Sequence, residues 1–411
     1  MNKYFDIKDT VYDVTEKYPE TLDVFIGNGF EQLANDKMRK LMGRTISVAM
    51  ACKTKKVNVE LFEEKLVEAI ELARNSVDDA LAAQKNKDEN SDIRIDGVLP
   101  CPIRIPLLES FNKWVEDNKD SFGFTIDYEL KSANLGVDWI IDRVNTGKPD
   151  DLSDLFMSAG FELFFDEKLM GKYKNQGIFE DITGLEKLNK DFDNDYIDLK
   201  DPEKQYSIIG VVPAVFMVNV DQLNGREMPK SWEDILKPEF ESSVSIPMRD
   251  LDLFNAIMLH LQQKYGDEAV TKLGRSLMRS MHPAEMVKSP TRNTSGGIPT
   301  VTIMPYFFTK MALGNTPLTA VWPEDGAIIS PIFLLAKKSS KDKTKRFVDF
   351  FFSKEVGQVL ALNGHMPSTN PEVDNGLVEG QKFMWLGWDY INRNDIGSKI
   401  KECEKLFHEA I

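Results

Sequence analysis

The residues of this chain best suited to chemistry could bind a ligand rather than transform one. Arg249 and Arg292 lie in polar, turn-rich segments, and two guanidinium groups could clamp a carboxylate, phosphate or sulfonate through paired hydrogen bonds. Tyr306 and Trp322 could stack on a ring of the same ligand. Other interpretations stay open, because the arginines could form surface ion pairs and the aromatic residues could pack in the core.

Sites for catalysis are harder to place. Arg249 with Asp250 could be interpreted as a pair for acid/base catalysis. The neighbouring residues Glu324 and Asp325 could form a second acid/base pair. Charged residues in turns, however, are usually solvated. His365 is interpreted as a loop histidine. The sequence has no GxSxG, Walker, CxxC or HExxH pattern. We therefore predict a protein that is not an enzyme, with no cofactor and no metal site.

Composition and charge limit the partners. The 411-residue chain has 42% hydrophobic and 28% charged residues, as a globular protein of several domains would. Its net charge of −15 would repel nucleic acid and anionic membranes. The first residues, MNKYFDIKDTVYDV, lack the apolar run of an export signal, and no later stretch could span a membrane. We therefore expect a cytoplasmic protein with no nucleic-acid partner and no membrane insertion.

The elements that would position these residues are clearest between residues 230 and 250. Ser231 and Asp234 have the spacing of a capping box at the start of a short helix. Residues 244–246 predict a strand, and after a polar break an apolar helix begins at Leu251. A strand, a polar loop and a helix N-terminus form a corner where unpaired N–H groups can face a ligand.

Strands and helices alternate through most of the chain. Strands are predicted at 93–98, 124–130, 151–157, 208–219 and 300–304, with a proline-stiffened turn at 99–106. This order predicts an α/β domain with parallel-type sheets and ligand sites at the carboxyl ends of the strands. Short helical patterns predict an all-helical domain at 1–75, and 76–92 form a charged linker. The α/β domain then spans 93–411.

Several segments together carry a family resemblance. They are SWEDILKPEFESSVSIP at 231–247, VWPEDGAII at 321–329 and KRFVDFFFSKEVGQ at 345–358. In this order they resemble extracellular solute-binding proteins of the iron, thiamine and polyamine type, the substrate-binding components of ABC transporters. The resemblance implies a two-lobed, type II periplasmic-binding-protein-like fold with hinge strands. It implies a first lobe of about 93–209 and 320–411 and a second of about 210–319. We expect the C-terminal tail to pack on the first lobe.

The same resemblance adds site candidates, because some of its loops face the ligand cleft. These loops match Ser132, Asn134, Ser158, Ala159 and Gly160, where the chain is also predicted to leave its strand. All five could equally be ordinary caps and turns. The candidate ligand-binding residues are therefore Ser132, Asn134, Ser158, Ala159, Gly160, Arg249, Asp250, Arg292, Tyr306 and Trp322.

The resemblance does not identify the ligand. Iron-binding members present two adjacent tyrosines at the corner where this chain has Tyr306 followed by Phe307. A hard trivalent ion requires anionic oxygen ligands, and one phenol alone would not hold it. The ligand stays open among a metal ion, an oxyanion and a small organic molecule.

The helical domain at 1–75 has a resemblance of its own. Its pattern, TVYDVTEKYPETLDVFIGNGFEQLAN and then GRTISVAMACK, resembles a small domain associated with hybrid-cluster proteins. Some of those domains carry a CxxC after the Gly-Phe turn, and this chain has no cysteine there. Met38, Leu41 and Met42 predict an apolar helix face. We expect this domain to contact a protein partner.

Two functions of different classes follow. The first is non-catalytic binding of a small solute in an interlobe cleft by hinge closure, in a protein retained in the cytosol. The second is a redox or metal-cofactor accessory protein that uses the helical domain with Cys52 and Cys101. Ordinary transport, with an export signal upstream of Met1, is a third interpretation. The odd number of cysteines, with Cys403 as the third, does not suggest a disulfide framework.

Overall fold

The computed structural model describes residues 4–18, 21–27, 30–34, 36–55, 59, 62–63, 66–67, 70, 91–132, 138–248, 251–280, 297–309 and 317–411. The chain divides into two compact units, an N-terminal unit of Met1–Lys87 and a C-terminal unit of Asp88–Ile411. Most of the predicted linker at 76–92 lies outside the described residues. Within the described part of the chain, no helix has the length and apolar character to cross a membrane.

The N-terminal unit is helical, as the sequence predicts. Its helices are α1 (Val11–Lys17), α2 (Thr21–Gly27), α3 (Asp36–Met42) and α4 (Val48–Lys55), with a 3-10 turn at Glu31–Ala34. Thr10 caps α1, because its side chain accepts a hydrogen bond from the Asp13 amide. In the core, the rings of Phe25 and Phe62 pack edge-to-face with centroids 5.0 Å apart.

Helix α3 does not bury the apolar face that its sequence predicts. Met38, Leu41 and Met42 are 36%, 69% and 43% exposed. The helix instead packs through Arg39, which donates to the Leu33 carbonyl at 3.3 Å. Helical spacing shows which residues share a face, but not which face the rest of a unit covers.

Ten strands of the described residues form one mixed sheet in the C-terminal unit. The strands of this unit are β1 (Ile93–Leu99), β2 (Ile126–Ser132), β3 (Leu155–Ala159), β4 (Asp193–Asn194), β5 (Ile197–Asp198), β6 (Tyr206–Asn219), β7 (Val244–Ile246), β8 (Leu277–Ser280), β9 (Val301–Pro305), β10 (Leu318–Val321), β11 (Ala327–Ala336) and β12 (Phe383–Met384). The order is β2-β1-β3-β11-β6-β9-β7-β8, with β10 beside β6 and β12 beside β11. Strands β1, β2 and β3 pair in parallel, and so do β7, β8 and β9. The short β4 and β5 form a separate hairpin.

The helices of this unit pack on the sheet. They are α5 (Cys101–Asn118), α6 (Asp138–Asn145), α7 (Glu162–Phe165), α8 (Gly171–Asn175), α9 (Trp232–Ile235), α10 (Leu251–Tyr265), α11 (Asp267–Ser276), α12 (Tyr306–Thr309), α13 (Lys341–Phe351), α14 (Lys354–Gln358), α15 (Trp388–Arg393) and α16 (Ile396–His408). Their alternation with the strands confirms the predicted α/β class.

Strands β6 and β11 join two halves of the sheet. All 14 residues of β6 are buried, and its near-continuous apolar sequence is typical of a strand covered on both faces. Its first part pairs with β11, and its second part pairs with β9 and β10. Strand β11 runs back antiparallel and pairs with β3 on its other edge. We call the β1–β3 side the first half and the β7–β9 side the second half.

The turn predicted at 99–106 is helical instead. Helix α5 begins at Cys101, directly after β1, with one proline in its first turn and Pro106 further inside. A proline in the first turn costs little, because an amide at that position has no helical partner to lose. The first helix after β1 therefore starts six residues earlier than the prolines indicate.

The C-terminal helix α16 contacts both halves, whereas the sequence leads us to expect packing on the first lobe. The Phe407 ring lies 5.0 Å from the Phe254 ring of α10 in the second half. In the first half, Lys401 Nζ lies 3.1 Å from Asp166 Oδ2, after α7. The amphipathic spacing of α16 predicts a buried stripe, but it does not identify the surfaces that the stripe covers.

Candidate functional site

The end of β9 and the loop at 364–370 meet along one edge of β6, the edge opposite β11. The Val211 amide donates to the Pro367 carbonyl at 3.0 Å. Further along β6, Pro305 at the end of β9 pairs with Ala214. The register therefore brings together the residues that follow Pro305 and those that precede Pro367.

Tyr306 and His365 occupy this junction, with ring centroids 6.0 Å apart and an interplanar angle of 74°. Trp322 follows β10 on the other edge of β6, and its ring packs edge-on against Tyr306 at 5.2 Å. The indole Nε1 donates to the Lys382 carbonyl at 2.7 Å, and the indole ring lies 5.6 Å from Phe383. We call Tyr306, Trp322, His365 and Phe383 the aromatic wall.

Both halves of the C-terminal unit contribute to the aromatic wall. Tyr306 follows β9 in the second half, whereas His365 lies in a loop that packs on the first part of β6. Tyr306, Trp322 and His365 are all half-buried. A solute at this point could therefore contact side chains from both halves at once.

Three predicted site residues lie at the end of β3. Ser158 and Ala159 are the last residues of this strand, so the predicted break at Ser158 is wrong by two residues. The Ser158 side chain is buried, and its Oγ donates to the Ala159 carbonyl at 3.2 Å. Gly160 follows at a φ of 113°, which favours glycine, and its amide donates to the Pro331 carbonyl at 3.4 Å. Pro331 of β11 pairs with Val211 of β6, and the Val211 amide bonds the Pro367 carbonyl. The turn at Gly160 therefore lies at the same position along β6 as the loop at 364–370.

The structure brings Tyr306 and Trp322 together, but it leaves part of the predicted site undescribed. Ser132 ends β2 opposite Leu99 of β1, at the carboxyl end of the parallel strands. The predicted site residues outside the described part of the chain are Asn134, Arg249, Asp250 and Arg292. The guanidinium clamp of the two arginines therefore stays a prediction.

Sequence reasoning missed His365 as part of the site. Its φ of 45° lies in the left-handed region, which residues other than glycine rarely adopt. Close packing on either side fixes this backbone: a Cβ at Gly364 would lie 2.3 Å from Ile103 Cγ2, and Met366 is buried. The strained backbone holds the imidazole beside Tyr306, and such strain often marks functional positions. No local sequence pattern predicts this position of His365.

The segments 231–247 and 321–329, far apart in sequence, are bonded to each other. Ser231 and Asp234 form the predicted capping box at the start of α9. The fully buried Trp232 donates from Nε1 to the Gly326 carbonyl at 2.9 Å and packs edge-to-face on Phe216 of β6 at 4.9 Å. This contact fixes the start of β11 against the second half.

Asp325 stabilises this contact between α9 and the start of β11 rather than serving as a catalytic acid or base. Its carboxylate accepts hydrogen bonds from the Trp232 amide at 3.2 Å and from Tyr265 Oη at 2.8 Å. Burial, together with the hydrogen bond to Asp325, raises the pKa of Tyr265. The Tyr265 phenol therefore stays protonated and acts as a donor.

His260 in the middle of α10 is a buried structural residue. Its Nδ1 lies 2.6 Å from the Ala256 carbonyl, and its ring packs edge-on against Phe161. Burial lowers the pKa of His260 to about 4. The buried imidazole is therefore neutral at physiological pH.

The described cysteines do not have reactive thiolates. Cys52 and Cys403 are both buried and free. Burial raises the pKa of the Cys52 thiol, and it raises the pKa of Cys403 to about 12. The side chain of Cys101, at the start of α5, lies outside the described residues. Within those residues, no group of three or more histidine, cysteine, aspartate and glutamate side chains could hold a metal ion.

Comparison with known proteins assigns the family. Residues 150–394, more than half of the chain, match the family described as bacterial extracellular solute-binding protein. The chain belongs to this solute-binding family. It is therefore a non-catalytic ligand-binding protein rather than an enzyme. Residues 5–62 of this solute-binding protein match a domain of unknown function, DUF1858. No curated protein matches its sequence significantly.

Solved structures similar to this solute-binding protein include three proteins connected with iron. The ferric binding protein from Campylobacter jejuni is 16% identical, with a TM-score of 0.52 over 78% of this chain and 99% of that one. The apo ferric ion-binding protein A of Pasteurella haemolytica is 14% identical, with a TM-score of 0.54 over 77% and 97%. A Trichodesmium protein in complex with iron and citrate is 13% identical, with a TM-score of 0.53 over 77% and 98%. These similarities show the type II periplasmic-binding-protein fold.

Proposed function

We propose that residues 93–411 bind a small solute in a crevice between two lobes, close over it by a hinge motion and release it unchanged. The contact between Tyr306 and His365 carries this proposal, because these rings come from different halves and lie 6.0 Å apart beside the hinge strand β6. A solute that touches both rings binds the closed arrangement better than the open one. That difference in affinity is what drives closure.

The solute is a small organic molecule with a flat or apolar part. The aromatic wall supplies ring surface together with a phenol hydroxyl and an imidazole. Apolar surface with a few well-placed polar groups is typical of small-molecule sites. Rings at such sites bind flat groups by stacking and organic cations by cation–π attraction.

Ferric iron is the main competing solute, because several proteins of similar fold bind it. The wall of this chain contains one tyrosine, Tyr306, followed by Phe307. A ferric ion prefers several anionic oxygen ligands. We therefore expect bare ferric iron to bind more weakly than an organic solute.

A thermal-shift screen of the full chain tests this function. The panel contains thiamine, spermidine, a sugar phosphate, sulfate and ferric ion, each at several concentrations. A solute that binds only the native state raises the melting temperature with concentration. We expect an organic member of the panel to give the largest rise and to quench tryptophan fluorescence, with a smaller quench in Trp322→Phe. A rise with ferric ion alone would contradict the solute class.

Cytoplasmic retention and a protein partner for residues 1–75 complete the proposal. The compact helical unit at the start of the chain supports the protein partner. Cell fractionation with immunodetection tests the compartment. Recovery of the protein in an exported fraction would favour ordinary transport, as the substrate-binding component of an ABC transporter.

A further inference from the structure

Two glycines allow the ends of helix α16 to pack closely against different halves of the C-terminal unit. A Cβ at Gly397, in the first turn of α16, would lie 2.5 Å from Oδ2 of Asp166, which follows α7 in the first half. At the other end, a Cβ on Gly274 of α11 in the second half would lie 2.6 Å from the Phe407 carbonyl oxygen. The Phe407 ring also lies 5.0 Å from the Phe254 ring of α10. A larger residue at either glycine would push the helix away from its neighbour.

Between these two contacts α16 is one continuous helix. The span from Gly397 to Phe407 is about 15 Å along the helix axis, at about 1.5 Å per residue. Its buried residues follow helical spacing and are Ile396, Gly397, Ile400, Cys403 and Phe407. Because a hydrogen-bonded helix has a fixed rise per residue, α16 sets the separation of the two surfaces that it contacts.

The contact of α16 with the first half depends on charge. Lys401 Nζ lies 3.1 Å from Asp166 Oδ2, and the Asp166 side chain is only 8% exposed. Burial, together with the nearby carboxylates of Glu404 and Asp166, raises the pKa of Glu162 on α7. Lys401 therefore offsets negative charge on both surfaces. Without this cation, the carboxylates would repel one another across the contact.

These contacts exist in the same arrangement that brings the two halves together at the aromatic wall, where Tyr306 meets His365. We propose that Gly397 and Lys401 of α16, with Asp166, are positioning residues for the solute site, because they hold the two halves in this arrangement. The role rests on the proposed binding of a solute between the halves. Apparent affinity falls with the fraction of molecules in the binding arrangement, so these distant residues influence affinity without touching the solute.

Pulsed electron paramagnetic resonance of the solute-free full chain tests this role directly. Genetically encoded spin labels at positions 362 and 319 report the distance between the two halves. We expect Lys401→Glu to shift part of the population to a longer distance, because it places a further carboxylate beside Asp166. Lys401→Gln removes only the charge and should give the same shift in a smaller part of the population. An unchanged distance distribution in Lys401→Glu would overturn the positioning role.

Two variants serve as controls for this measurement. Lys401→Arg keeps the positive charge and should retain the wild-type distances. Lys405→Glu makes the same charge change one helical turn further on, at a side chain that is 74% exposed and pairs with Glu409 of α16 itself. It should leave the distances unchanged, and a shift as large as that of Lys401→Glu would contradict a specific role of Lys401. Circular dichroism verifies that each variant is folded.

Affinity gives a second result that a purely structural role would not change. Isothermal titration with thiamine and with spermidine measures it for each variant. We expect Lys401→Glu to raise the dissociation constant of the probe that binds wild type by at least about fivefold. Lys401→Arg and Lys405→Glu should stay within about twofold of wild type. Equal affinities for wild type and Lys401→Glu would overturn the positioning role, whereas a wild-type chain that binds neither probe would count against the proposed solute class.

Discussion

Replacing Trp232 with alanine is expected to lower the free energy of unfolding of the C-terminal unit by about 4 kcal/mol, because large buried aromatic side chains leave a cavity of that cost. The side chain is fully buried, packs on Phe216 and donates to the Gly326 carbonyl. Its loss frees the start of β11, one of the strands that join the two halves. Urea unfolding followed by far-ultraviolet circular dichroism measures the change.

One further variant separates packing from hydrogen bonding, and a second variant is a control at an exposed site. Trp232→Phe keeps most of the apolar contact and loses the Nε1 donor, so the expected loss is about 1–2 kcal/mol. Leu362→Ala removes a side chain that is 66% exposed, and its effect should stay within about 0.5 kcal/mol. A loss below about 1 kcal/mol in Trp232→Ala would contradict the role of Trp232 in fixing the start of β11.

Replacing Tyr306 with alanine is expected to weaken solute binding by at least about 30-fold, which corresponds to about 2 kcal/mol, as for a central aromatic contact in a binding site. The ring touches both Trp322 and His365, so its removal also breaks the ring contact between Tyr306 and His365, which come from different halves. Isothermal titration with the solute that gives the largest thermal shift measures the affinity.

Conservative variants refine the role of Tyr306. Tyr306→Phe keeps the ring and loses the hydroxyl, so its effect should be about tenfold or less if the phenol makes a single neutral hydrogen bond. Tyr390→Phe removes a hydroxyl in α15, outside the aromatic wall, and should leave the affinity unchanged. Equal affinities for wild type and Tyr306→Ala would exclude the aromatic wall as the binding site.

Local rules account for the parts of the fold that the sequence predicts correctly. The capping box of Ser231 and Asp234 depends on neighbours in the chain, and it begins α9 as expected. The apolar run at 208–219 likewise appears as the buried strand β6. The order of the family segments extends this success to the architecture, because their joint occurrence reflects one fold.

Long-range packing decides the parts that the sequence cannot provide. Helix α3 has an apolar face that its own unit leaves exposed, and α16 covers surfaces of both halves. His365 joins the site because the register of β6 places its loop beside the end of β9. Each of these features depends on segments that are far apart in the chain. A sequence pattern within ten or twenty residues therefore cannot predict it.

Closure of the two halves over the solute can be measured as a change in distance. Spin labels introduced as genetically encoded amino acids at positions 362 and 319 report the distance between the first and second halves by pulsed electron paramagnetic resonance. A control pair at 113 and 142 lies within the first half. We predict that saturating solute shortens the first distance and leaves the second unchanged. A first distance that stays the same while calorimetry shows full binding would contradict hinge closure over the solute.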